Sequence, residues 1–240
     1  MVSMLAATAA LFTGMVAQVP PQQPPTPALI VTGTSEVRIM PDLATLTLGV
    51  TTQAKTAQQA QNESNAKAAA FLAEAKRLLG NKGTVQTGTI NLYPVYSEQT
   101  RPTNAPFTPE ITGYRADNTL TVRTTDFTIV GPIIDAAVTA GLNTVQGLTF
   151  GLQDDTDARM EALANAVKQA RKKAEVMAGA ADVEIAGVWD ISEGGGRVMP
   201  FQADSFAGKA MSAAVATPVE PGAVTVNGDV TIRFFIRPRH

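Results

Sequence analysis

Between Leu43 and Leu152 the hydropathy pattern switches period in a fixed order: strand, helix, strand, strand, helix, strand. That order constrains the fold more than any single residue does. In Leu43–Gln53, Leu43, Thr45, Thr47 and Gly49 alternate with Ala44, Leu46, Leu48 and Val50, so the segment reads as a strand with one buried face. Thr56 and Gln59 have capping-box spacing, and Ala57, Ala60, Ala68, Leu72, Ala75 and Leu79 form a helical stripe that stops at Gly80. Val85–Val95 and Ile111–Thr125 are the next strands. The second of them groups Tyr114, Ala116, Asn118, Leu120 and Val122 on one face and Arg115, Asp117 and Arg123 on a wetter one. Asp126 or Thr128 caps a second helix ending at Gly141, and Pro132 demands a late or kinked start. Thr144–Leu152 closes the series. The order predicts a ferredoxin-like βαββαβ unit, an antiparallel sheet with helices on one face.

The flanks extend this α+β unit. Ala28–Ile39 reads as a strand, turned by Pro41-Asp42. AspAspThrAsp at 154–157 opens the longest helix, with Met160, Leu163, Val167, Ala170, Ala174 and Met177 as its expected core stripe. Val183–Glu193 is a strand holding the only tryptophan, Trp189, and Ala223–Arg237 is the last strand. The long segment 194–222 reads as a loop rich in Gly, Ala, Met and Pro. The expected organisation is one domain over 28–240.

Composition removes whole classes of chemistry. The chain has no cysteine, and its single histidine is the last of its 240 residues, His240. Disulfides, thiolate catalysis, cysteine zinc sites and a histidine-based triad are therefore excluded. Charged residues make up 17%, the net charge is −2, and aromatics are 5%, so neither a basic footprint nor a stacking platform for nucleic acid is present. No cofactor is expected, and no metal site or catalytic residue stands out.

Residues 1–27 are uncharged, and Met4–Ala17 is an apolar run of signal-peptide length. The expectation is a signal peptide over 1–17, cleaved near Ala17, then a Pro/Gln-rich linker over 18–27. No Lys or Arg precedes the run, so an uncleaved anchor is the alternative. Either way the domain is expected to be periplasmic or otherwise extracytoplasmic.

ValThrGlyThrSerGluVal (31–37), ProAspLeuAla (41–44), GlyTyrArgAla (113–116), AlaGlyLeuAsn (140–143) and the alanine-rich stretch 157–181 come in an order that resembles the SIMPL-domain family, formerly a domain of unknown function (DUF541). The likeness runs from about Ala28 to Ile191 and resumes in the last strand, and within the family it is nearest the bacterial 26-kDa periplasmic antigens, an oxidative stress defence group. It implies export, a link to defence against oxidative and other stresses, and assembly into large ring-like or channel-like homo-oligomers. It brings no catalytic residues with it. AlaAlaAspValGlu (180–184) departs from relatives, which often end this helix with glycine–valine.

Among candidate sites, Met199, Phe201, Phe206 and Met211 make segment 194–222 too apolar for an idle solvent loop, and they suit an oligomer or partner contact. Tyr114 and Arg115 are a candidate ligand pair, against a Tyr simply packed in the sheet. Asp154, Asp155 and Asp157 lack the Gly and distal Glu of a calcium loop and read better as acids at a helix N-terminus. Lys168, Arg171, Lys172 and Lys173 form a basic cluster that could meet anionic lipid, giving peripheral membrane association, or simply be a solvated helix back. GlyGlyGly (194–196) with Arg197 lacks a phosphate-loop ending and reads as a hinge. Three functions are open on these residues: a noncatalytic self-assembling envelope protein, which is favoured; a small-molecule or metal binder; and a carboxylate-only hydrolase.

Overall fold

The computed structural model of the chain describes residues 27–97, 109–202 and 221–239. Its elements are β1 (Ala28–Ile39), β2 (Leu43–Ala54), α1 (Ala57–Leu79), β3 (Gly83–Tyr96), β4 (Ile111–Thr124), α2 (Val130–Thr139), β5 (Thr144–Gly151), α3 (Thr156–Ala180), β6 (Val183–Glu193), β7 (Val198–Met199), β8 (Phe201–Gln202) and β9 (Val224–Pro238). The expected α+β class with antiparallel sheets is the observed one. The βαββαβ unit forms sheet B, ordered β3-β4-β2-β5-β8, and every pairing in it is antiparallel. Leu46, Leu48, Val50, Leu120, Val122 and Phe150 from its inner face meet Phe71, Ala75 and Leu79 of α1 and Ile133 and Ala137 of α2.

Local chemistry sets each helix. The Thr56 hydroxyl accepts the Gln59 N–H at 3.3 Å, and Gly80 ends α1 at φ 52°, a conformation that L side chains rarely take. The buried row of α1 is Ala60, Ser64, Ala68, Phe71, Ala75 and Leu79, which corrects the expected stripe at Ala57 and Leu72: the sheet is met one residue earlier, through Phe71. The Asp126 carboxylate accepts the Thr128 N–H at 3.1 Å and opens a 3-10 turn, Phe127–Ile129, before α2 begins at Val130. Pro132 thus falls in the first turn, where its missing N–H is harmless.

The outer strands extend this unit as a separate sheet rather than by widening sheet B. β1, β9 and β6 form a second sheet, A, in the order β1-β9-β6, with β7 also on β9. The break is at Pro41. The Asp42 N–H donates to Gly151 O at 3.1 Å and its carboxylate accepts the Gln153 N–H at 2.7 Å, so the turn is tied to the end of β5 and β1 leaves in another direction. β1 then pairs with β9 over its whole length, from Ala28↔Phe235 to Ile39↔Val224.

α3 covers one face of sheet A, and its expected stripe is also corrected. Met160, 62% exposed, and Met177 point outward, while Ala158, Ala162, Ala166, Ala170, Ala174 and Ala178 are buried against Val31, Val224, Val226, Val230, Ile232 and Phe234. Small residues face small residues here. A Cβ at Gly33 would lie 2.1 Å from the Ala166 carbonyl oxygen, and one at Gly228 would lie 2.6 Å from the Ala162 backbone. The close approach is fixed by polar contacts: Ser35 Oγ donates to Ala162 O at 2.5 Å and the Thr34 N–H to Gln169 Oε1 at 2.7 Å. Asp182 after α3 takes a left-handed φ of 54°, within the stretch where the sequence departs from its resemblance.

Candidate functional site

The face of sheet B away from α1 and α2 is polar and open. Cross-strand register sets its side chains in rows: Tyr93, Arg115 and Gln53; then Asn91, Asp117 and Thr51; then Thr119, Gly49 and Thr144. Two irregularities flank the third row. β3 shifts register between Thr87 and Ile90, and β5 carries Gln146 as an extra residue opposite Thr47 and Leu48. Bulges bend a strand and re-aim its side chains, and they recur beside functional sites. Between them lies a trough of about 280 Å³ lined by Gly49, Thr51, Asn91, Arg115, Asp117 and Gln146, among others. Gly49 forms its floor: a Cβ there would lie 3.2 Å from Gln146 Nε2.

The trough is internally ordered. Asp117 Oδ1 accepts the Thr51 hydroxyl at 2.5 Å and Arg115 Nε at 3.0 Å. Gln146 Nε2 donates to Thr119 Oγ1 at 3.3 Å, and the Asn143 side chain bonds both the N–H and the C=O of Thr51 at 2.9 Å. One guanidinium and one carboxylate cancel in charge. A second hollow, about 430 Å³, lies at the other end of the sheet and is lined by Lys82, Thr84, Arg123, Thr124 and Gln153.

Beside that second hollow, Lys82 Nζ lies 2.8 Å from Asp126 Oδ2. Hydrogen bonds from Lys82 and then Thr128 hold the Asp126 carboxyl down at about 2, against an ordinary 3.8. A lowered folded-state pKa adds stability above the ordinary value and loses it as pH falls through the folded value. Asp126→Asn is therefore expected to melt below the parent protein at neutral pH. The gap should close as pH falls from 3.8 toward 2, which thermal melts across that range will read.

The structure separates the expected ligand pair Tyr114 and Arg115, because neighbours on a strand point to opposite faces. Arg115 lines the trough, while half-buried Tyr114 lines a different hollow with Lys55 and Val95. Met199 and Phe201 are not in an open loop: Met199 pairs with Thr225 of sheet A and Phe201 with Phe150 of sheet B, so 198–202 stitches the sheets together. The Phe201 ring rests 6.3 Å from that of Phe150. Phe206 and Met211 lie outside the described residues.

The acids at the start of α3 are used by the helix itself. Asp154 Oδ1 accepts the Thr156 N–H at 2.9 Å and Asp155 Oδ2 meets Arg159 at 2.8 Å; the Thr156 side chain and then its N–H lower the first carboxyl, and Arg159 lowers the second. Asp157 sits in the first turn. No group of three or more His, Cys, Asp or Glu able to hold a metal occurs among the described residues. Lys168, Arg171, Lys172 and Lys173 lie exposed on α3, with Arg171 3.2 Å from Glu175 and Lys173 donating to Thr32 O at 3.0 Å. In the glycine run, the Gly194 N–H donates to Asp229 O at 3.0 Å and Gly196 O accepts Arg159 at 3.0 Å, so it is tied to β9 and α3.

Sequence reasoning missed the face of sheet A opposite α3. Along β9 the buried residues are the even ones, so Arg233 and Phe235 face away from the helix. Trp189, 45% exposed, stacks on Phe235 with centroids 5.2 Å apart and planes at 9°, and the Arg233 guanidinium sits 4.9 Å above the Trp189 ring. Ile30, paired with Arg233, is 55% exposed beside them. The alternation of β9 was the available signal; the pairing that brings Trp189 and Ile30 there was not readable.

The SIMPL family model, described as a protein of unknown function (DUF541), matches residues 29–234. The chain is 35% identical to the 26 kDa periplasmic immunogenic protein of Brucella melitensis over 87% of this chain and 84% of that one, and 34% identical to that of Brucella abortus over the same shares. It is 29% identical to the uncharacterized protein YggE of Escherichia coli over 68% of this chain and 65% of that one.

Proposed function

This chain belongs to the SIMPL family, and from that premise we propose that it is an exported, noncatalytic protein that assembles with copies of itself in the periplasm or an equivalent compartment and serves defence against oxidative and other stresses. The location is supported by the relatives named periplasmic and by the apolar run at Met4–Ala17. The stress role is carried by the family resemblance.

The observation that carries assembly is the uncovered face of sheet A. Trp189, Phe235, Arg233 and Ile30 form a patch on which no described element packs. Tryptophan and arginine are the residues most enriched among those that dominate protein–protein binding energy. A noncatalytic role is supported by the carboxylates: among the described residues those whose pKa moves, Glu74, Asp126, Asp154 and Asp155, move down, whereas a carboxylate-only hydrolase needs one raised.

Trp189→Ala tests the contact. Its half-exposed ring stacks on Phe235 and under Arg233, so the variant should lose about 1–2 kcal/mol of stability and stay folded. Loss of a central aromatic anchor, about 2 kcal/mol or more, should weaken association about thirtyfold or more. Light scattering against concentration reads this. Unchanged assembly in the variant removes sheet A as the contact.

A second reading, a small-molecule binder, is favoured by one observation, the ordered trough on sheet B.

A further inference from the structure

We propose that the trough on the outer face of sheet B binds a neutral pyranose ring, either a free sugar or one unit of a glycan. The trough and the assembly face lie on different sheets, so this inference stands apart from assembly.

Size is the first argument. A volume of about 280 Å³, open on one side, sits at the low end of small-molecule sites and accommodates one ring rather than a large cofactor. Charge is the second. Arg115 and Asp117 neutralise each other at 3.0 Å within the trough, so a multiply charged anion gains little from one cation and meets a carboxylate. A neutral polyol gains from both groups. Adjacent hydroxyls can accept from the guanidinium and donate to the carboxylate, and Asp117 Oδ1 already takes the Thr51 and Arg115 Nε bonds, leaving Oδ2 and the terminal guanidinium nitrogens without partners among the described residues.

Shape is the third argument. Tyr93 pairs with Arg115 across the ladder and, 49% exposed, stands at the margin of the trough on the same face. A phenol ring offers a flat apolar wall with a polar tip. A pyranose is matched to it, with apolar C–H faces and a rim of hydroxyls. Asn91 and Gln146, re-aimed by the two flanking bulges, add planar amides that can bridge neighbouring hydroxyls.

Saturation-transfer NMR observes the ligand and tolerates a large assembly. The full chain would be tested with cellobiose, N,N′-diacetylchitobiose and, as a charged control, competing inorganic phosphate. Transfer to the ring protons of either disaccharide is expected, with a Kd of about 1 mM, fitting a shallow site. Tyr93→Ala should weaken it tenfold or more, and Gly49→Val, whose side chain would press on the Gln146 amide and fill the floor, should abolish it. Tyr93→Ala should melt near the parent, and Gly49→Val should stay folded with a lower melting temperature, since its side chain crowds Gln146 and Thr144. Co-sedimentation with insoluble cellulose or chitin as well would mean a chain unit is accepted; binding of the disaccharides alone would mean a free sugar. The proposal is overturned by no transfer from either disaccharide, by transfer that survives both substitutions, or by displacement with phosphate at lower concentration than sugar.

Discussion

Gly33→Val is expected to destabilise the protein by about 3 kcal/mol or more, the upper range for overpacking, because no rotamer change relieves it. The new Cβ would meet backbone, 2.1 Å from Ala166 O and 2.7 Å from Ala170 N, so α3 has to lift off sheet A. The buried contacts of Ala166, Ala170 and Ala174 with Val31, Val230, Ile232 and Phe234 loosen together, and so does the Thr34–Gln169 hydrogen bond. For a domain of this size the melting temperature should fall by roughly 6–12 °C. Gly147→Val is the matched control: it lies in a strand with no atom within 4 Å of its virtual Cβ, and valine suits a strand. Urea unfolding of the two variants side by side is decisive, and equal stabilities would mean that α3 does not sit on these glycines.

Phe71→Ala is expected to cost about 3–5 kcal/mol, the usual range for emptying a fully buried aromatic site. Phe71 is wholly buried at the junction of α1 with sheet B, among Leu46, Leu48, Leu120 and Ile133 in one core cluster. Its neighbour Leu72 is only partly buried, so Leu72→Ala should cost distinctly less. Denaturant midpoints will rank the pair. The reverse order would place the helix face where the alanine and leucine periodicity alone had put it.

These two substitutions mark where the sequence was readable and where it was not. The order of strands and helices from Leu43 to Leu152 was legible because each boundary carried local chemistry: Thr56 as a cap, Gly80 as a left-handed stop, Pro132 forcing a delayed α2. The inner faces of β2 and β4 followed from alternation alone. The core face of α3 was legible in part: Ala170 and Ala174 are buried and Leu163 and Val167 pack beside them, but hydropathy also favoured Met160 and Met177, whereas the real interface selects for smallness against Gly33 and Gly228, a property of two elements distant in sequence. The second sheet was hidden for the same reason. Whether β1 joins β2 or β9 depends on a turn pinned to Gly151 and Gln153, not on the strand itself.

The site was legible by halves. Arg115, expected as a ligand contact with Tyr114, lines the trough, and its neighbour there is Asp117, two residues on and on the same face, rather than adjacent Tyr114. Asn91 and Gln146 line the same trough, and Tyr93 stands beside Arg115 on that face, only through register and bulges, which no single segment displays. Met199 and Phe201, singled out as too apolar for an idle loop, join the edges of two sheets, and both side chains remain exposed there.

The central claim is that copies of this chain assemble through the face of sheet A that carries Trp189 and Arg233. Its most direct test is the solution mass of the protein expressed from its full sequence, measured by light scattering during size exclusion at micromolar concentration. A mass several times that of one chain, lowered by Trp189→Ala, is the predicted result. A monomer that stays monomeric as concentration rises would contradict it.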